Sequence, residues 1–226
     1  MNITEIKTLL EANKNERGIK HWGKMDLPWT SYGIGLTQLK KLAKKIGHDH
    51  DLALKLWQEK NYEMVTLATI VDEPEKVTRQ QVEEQVKNLR FWMLAHSYCS
   101  NLMPKVSFQQ ELAEDWIHES DDIRRRVSYL LYYNIARDNR SLNDAYFEPI
   151  IDTIQSRLQE EENFVKDAMN NALIMIGSRS VELHKKALSA ARHIGKVIVD
   201  YGDNSCQALD AMQHLNSKRL HVKLAK

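Results

Sequence analysis

Apolar residues recur along most of this chain at the three- and four-residue spacing of a helix face. Ile3, Ile6, Leu9 and Leu10 set the first stripe, with Thr4 placed to cap it. The pattern fades in the polar run 13–18. It is then broken by His21–Gly35, HWGKMDLPWTSYGIG, which holds Pro28, three glycines and three large aromatics. That segment reads as a structured loop. Its Trp22, Trp29 and Tyr32 either pack beneath it or stack on a ligand, and the sequence leaves both open. Thr37 opens the next helix, whose stripe is Leu39, Leu42, Ala43 and Ile46. Lys40, Lys41, Lys44 and Lys45 fill its other side. Asp51–Lys60 and Tyr62–Val71 are each apolar on one side. Pro74 interrupts the chain, and Thr78 starts a helix carried by Val82, Val86 and Leu89.

The middle of the chain, Asn88–Asn101, NLRFWMLAHSYCSN, also reads as a helix. It places Trp92 and His96 four residues apart, on one face. Beyond Pro104 a helix over Phe108–His118 is carried by Leu112, Trp116 and Ile117. Ser120 and Asp121 offer caps for a helix over Arg124–Tyr133. A polar linker, Asp138–Asn143, precedes helices over Ala145–Leu158, Phe164–Ile176 and Val181–Ile194. Gly195–Ser205, GKVIVDYGDNS, is the one convincing extended run. A last helix covers Cys206–Leu215, and the tail, about 217–226, is basic.

About a dozen short helices in antiparallel pairs predict an all-α fold. The architecture expected is an α-solenoid of HEAT or armadillo type, an α–α superhelix over a single domain, 1–226. In a solenoid, alternate helices line one face. That face would collect residues distant in sequence, among them Lys44, Trp92, Arg126, Arg192 and Lys196.

Composition sharpens this picture at a few points. Only 8 Gly and 4 Pro occur in 226 residues, which favours helices over a many-stranded fold. With 32 basic and 31 acidic residues the whole molecule has no pull on anions, so a nucleic-acid surface must come from local segregation of charge. Cys99 and Cys206 form neither a disulfide framework nor a metal pattern, and read as free thiols of a cytoplasmic protein. No apolar run approaches the ~18 residues of a membrane helix. The sequence thus calls for no membrane, no metal and no cofactor.

Several stretches together are similar to the DNA alkylation repair proteins of the HEAT-like repeat type. They are YGIGLTQLKKLAKKIG, LALKLWQ and YEMVTLATIVDEPEKVT, then FVKDAMNNALIMIGSRS, and last ARHIGKVIVDYGDNSCQALDA. Their order and spacing span roughly residues 30–212. The resemblance implies a basic concave surface that holds duplex DNA, damaged or distorted, and N-glycosylase activity on N3- or N7-alkylated purines.

The chemistry of that activity identifies the residues to inspect. An N3- or N7-alkylpurine is cationic, so its glycosidic bond is weakened. Its departure leaves an oxocarbenium-like sugar, which a carboxylate and a water can stabilise. In active members an aspartate stands four residues after a tryptophan. Here Trp92 is followed by His96. Neutral imidazole brings no negative charge, and imidazolium repels the cation. A second aromatic of the family falls where this chain has Asn170 and Asn171. The family's DNA-contacting arginine matches Arg126, or Arg125 one register away; Arg124 completes the run. Adjacent helix positions lie about 100° apart, so the three arginines cannot share a face. Asp121, Asp122 and Asp203 are the substitute carboxylates left by elimination. The expectation is a DNA-binding protein with weak or atypical glycosylase activity. The alternatives are a non-catalytic binder of damaged or distorted DNA and a helical-repeat module that binds protein.

Overall fold

The computed structural model describes residues 1–25 and 27–225. Asp26 of the expected 21–35 loop and Lys226 of the basic tail lie outside them. The all-α expectation holds: the described residues form fourteen α-helices, and their only β-type pairing is an isolated bridge between Thr30 and Asn61. By backbone contact the chain gathers into two compact units. One is Met1–Ser107 with Tyr201–Ser205, and the other is Phe108–Asp200 with Cys206–Lys226.

The first unit contains α1 (Ile3–Ala12), α2 (Glu16–Gly23), α3 (Leu36–Ile46), α4 (His50–Trp57), α5 (Tyr62–Val71), α6 (Arg79–Val86) and α7 (Trp92–Asn101). Its axis is α5, which is buried along nearly its whole length and packs against α3, α4 and α7. Thr4 is not the first cap. Asn2 is, in a reciprocal capping box with Glu5. The 13–18 run is not a fade-out either, because Asn15 caps α2 with bonds to the backbone of Arg17 and Gly18. The expected loop over 21–35 therefore begins as helix.

A buried carboxylate organises what remains of that loop. Glu63, on α5, is fully buried. It accepts from the Ser31 hydroxyl at 2.7 Å and from the backbone N–H of Tyr32 and Ile34 at 3.0 Å each. Those donors hold residues 31–34 over α5. They also set Gly33 at φ +72°, where its carbonyl lies so close to Gly18 that a Cβ there would meet it at 2.1 Å. A second buried acid, Asp72, ends α5. It lies 2.6 Å from His50 Nδ1 and accepts from the Gln81 amide at 2.9 Å, which joins α4 to α6.

The second unit contains α8 (Gln109–Trp116), α9 (Asp122–Asp138), α10 (Asp144–Arg157), α11 (Asn163–Ile176), α12 (Val181–Ile194), α13 (Ala211–Leu215) and α14 (Lys218–Leu224). At 17 residues α9 is longer than its apolar stripe suggested, and Asp121 caps it through a 2.8 Å bond to the N–H of Ile123. It packs against α8 and α11. Three expectations change here. The extended run 195–205 forms no strand, and its polar groups bond side chains instead: the Asn163 amide pairs with both backbone groups of Asp200. Residues 206–210 are not helical, because Asp210 is the cap of α13. The basic tail is a helix, α14, anchored by the buried Leu220.

Glu63→Gln retains the volume but replaces one acceptor oxygen with donors that face other donors. An unsatisfied buried polar group costs about 1–3 kcal/mol, and 1 kcal/mol shifts a chain of this size by about 2–4 °C. The expected result is a thermal midpoint lower by roughly 4–8 °C in a circular dichroism melt.

Candidate functional site

In α7 the sequence separates two faces. Leu94, Ala95, Tyr98 and Cys99 are buried, and Tyr98 donates to the Gln85 side chain at 2.9 Å. That face fixes the helix. Trp92 and His96, one turn apart, are half-buried on another face. Their rings meet edge to face at 5.8 Å. The helix begins with Phe91 as an extended cap residue with no side-chain bond. Phe91 in turn packs against Tyr62 at 5.7 Å and Trp22 at 6.2 Å. Trp22 thus belongs to an aromatic cluster, and burial pushes the Tyr62 hydroxyl within it up to about 12.

Sequence reading missed the residue that completes this site. Tyr201 contacts Trp92 at 5.1 Å and is itself 9% exposed. The segment carrying it is pinned by an ion pair of 2.7 Å between Asp203 and Lys24. Lys24 holds the Asp203 carboxyl below its ordinary value. A tyrosine placed against the ring of a tryptophan was not visible in GKVIVDYGDNS, which reads only as an extended run.

Chemically, the Trp92 face offers an imidazole and two aromatic rings. Asp203, one of the three substitute carboxylates, lies two residues from Tyr201, yet its charge is engaged by Lys24. Asp121 serves as the cap of α9, and Asp122 occupies its first turn. A cavity of about 650 Å³ lies elsewhere in this unit, beside His50, Trp57, Gln81 and Gln85, and none of the expected site residues lines it. Trp29 does line it, while Tyr32 is held by its backbone over α5. Lys44 is exposed on α3. Among the described residues no group of three or more His, Cys, Asp or Glu side chains can hold a metal ion, and no helix is long and apolar enough to cross a membrane.

In the second unit the arginine run divides as helical geometry requires. Arg124 stacks over Trp116 at 5.7 Å and lies 3.7 Å from Glu119. Arg125 is an internal strut rather than a surface contact. Its Nε and Nη2 donate to Glu161 at 3.1 and 2.9 Å, and its Nη1 donates to the carbonyls of Glu119 and Ser120 at 2.8 Å each. Arg157 meets the same buried carboxylate at 3.2 Å. Arg126, expected at a surface, is 5% exposed and lies over the ring of Phe164 at 5.9 Å. The reason is its register: residue 126 falls on the stripe of α9 that packs on α11. Asn170 is fully buried and donates to the Leu209 carbonyl at 2.8 Å. The Asn171 amide turns back on Asp167. Arg192 and Lys196 are exposed.

An all-helical chain with short connections and an aromatic face on a central helix has counterparts among known proteins. A family model described as DNA alkylation repair enzyme matches residues 6–211, and the chain belongs to that family. An uncharacterized protein of Listeria monocytogenes is 27% identical over 230 residues, covering 99% of this chain and 100% of the relative. One of Listeria innocua is 27% identical over 227 residues, covering 98% and 99%. A solved structure superimposes with a TM-score of 0.88 at 21% identity, over 99% of this chain and 96% of the other. It represents a family of proteins related to the HEAT-like repeat DNA glycosylases with affinity for branched DNA structures. The likeness establishes the HEAT-like repeat fold for this chain.

Arg125→Ala leaves Glu161 buried with one of its two arginines gone. Breaking a buried pair costs about 3 kcal/mol or more. Urea denaturation is expected to show that loss as a lowered midpoint.

Proposed function

We propose that this protein binds DNA, with a preference for branched or distorted structures over plain duplex, and excises alkylpurines weakly. It acts in the cytoplasm and holds DNA on the basic face that its family implies. The observation that carries this reading is the Trp92 site itself. His96 stands where the family resemblance puts a carboxylate, and the ring of Tyr201 packs against Trp92. A site so filled lacks the negative charge that an oxocarbenium-like transition state requires. Binding of DNA does not depend on that charge. The described affinity of the structural relative for branched DNA supports the substrate preference. Exposed Lys44, Arg192 and Lys196 are the phosphate contacts in this reading, and the buried Arg126 acts beneath the surface beside Phe164.

Two measurements test it. A four-way junction is expected to bind more tightly than a duplex of equal length, with affinity falling steeply as salt rises, because phosphate contacts release counterions. Equal and salt-insensitive affinities would overturn the proposal. Base release from alkylated DNA is expected to be low in the native chain and to rise in His96→Asp. An added carboxylate of this kind is worth about 10²- to 10³-fold in rate. Tyr201→Ala in the same background is expected to raise it further. High native activity would place the catalytic carboxylate elsewhere.

A further inference from the structure

Three helix ends of the second unit bring cations together at a place that the reading above does not use. Arg179, in the turn between α11 and α12, donates from Nη1 to the carbonyls of Ala136 and Asn139 at 2.6 and 2.9 Å. Its Nη2 donates to the carbonyl of Leu142 at 2.9 Å, and its guanidinium sits 4.2 Å over Phe147. These bonds hold the end of α9 and the following loop, which carries Arg140, against the turn. Lys223 of α14 donates to the Ser178 carbonyl at 3.0 Å, fixing that helix to the same turn. Arg219 precedes Lys223 by one helical turn, so both face one side.

Burial and then the charge of Arg140 hold the Arg179 guanidinium below its ordinary value. Burial and then the charges of Arg140, Arg179 and Arg219 do the same to Lys223. Two carboxylates lie nearby, and the charge of Asp144 acts on Arg179 in the opposite sense to Arg140. Asp138 is gripped by Arg137 at 2.6 and 2.7 Å, and Asp144 accepts from the Ser180 hydroxyl at 2.5 Å. Arg140, Arg219 and Lys223 are exposed. Backbone carbonyls have thus fixed Arg179 and Lys223 at a spot where their positive charges repel, beside the exposed Arg140 and Arg219.

We infer that Arg140, Arg179, Arg219 and Lys223 form a phosphate-binding patch that takes the backbone of DNA. This extends the proposed DNA binding and rests on it. The exposed guanidiniums of Arg140 and Arg219 suit phosphate oxygens bidentately, while Arg179, whose Nη groups are held by carbonyls, contributes its charge. A lipid surface would need an apolar face beside the charges. On α14 Leu220 is buried in the unit, and one exposed valine, Val222, does not make such a face. A partner of protein would need acidic side chains in this spacing, whereas a nucleic-acid strand supplies regular charge.

The test is the double variant Arg140→Ala/Arg219→Ala, which leaves the structural bonds of Arg179 and Lys223 intact. Its circular dichroism melt should match that of the native chain. Its affinity for a four-way junction at low salt should fall about tenfold, and the salt slope should become shallower by about two, near one for each phosphate contact. Arg140→Lys/Arg219→Lys should retain most of the slope. A native chain that binds the junction while the alanine variant keeps its full slope overturns the patch alone. A native chain that binds no DNA overturns both readings. Binding of phosphatidylserine vesicles by the native chain and not by the variant, with the DNA slope unchanged, would assign the patch to lipid and overturn it as well.

Discussion

A carboxylate withdrawn from water must be met by donors, and this chain uses that requirement to position its connections. Glu63 receives one hydroxyl and two backbone N–H groups from residues 31–34. Glu161 receives Arg125 and Arg157. Asp72 receives the Gln81 amide and faces His50. An apolar helix face can slide along its neighbour at little cost. A buried acid cannot, because each lost donor leaves a desolvated oxygen. Helix packing therefore supplies the bulk of the burial, and these few acids decide how the intervening segments lie. The same logic runs in reverse at Arg179, where a half-buried cation gathers carbonyls from the end of α9 and its loop.

That division explains what could be read in advance. Helices with a cap residue, a regular stripe and a clean stop were legible: α5 between Asn61 and Asp72, and α12 between Ser180 and Gly195. The second helix, ERGIKHWG, was not. It has two glycines and no buried residue, and it owes its place to the close approach of Gly18 to Gly33. The run VIVDY read as extended chain but met no partner strand, so its segment was fixed by single side chains such as Asn163. For the arginines, helical geometry alone established that the three part company. Which one is buried depended on Glu161 and Phe164, more than thirty residues downstream, and no local pattern reports that.

The Trp92 site had the same character. Its helix, and the pairing of Trp92 with His96, followed from spacing of four. Tyr201 did not, since it arrives from a distant segment. Its arrival changes the chemical meaning of the tryptophan. An open indole face is a platform for a sugar or a base, whereas one backed by a tyrosine and edged by an imidazole is closer to an internal aromatic cluster with a wet rim. In the proposed reading, the loss of the expected carboxylate and the presence of Tyr201 act in one direction, away from bond cleavage.

The residues that complete the first unit are made last. Tyr201–Ser205 belongs with Met1–Ser107, and everything from Phe108 to Asp200 is synthesised in between. On the ribosome Trp92 must wait for about a hundred further residues before its tyrosine exists, an order of events that favours slow final closure over early local pairing. Until then, the indole of the nascent chain is exposed where the finished protein covers it.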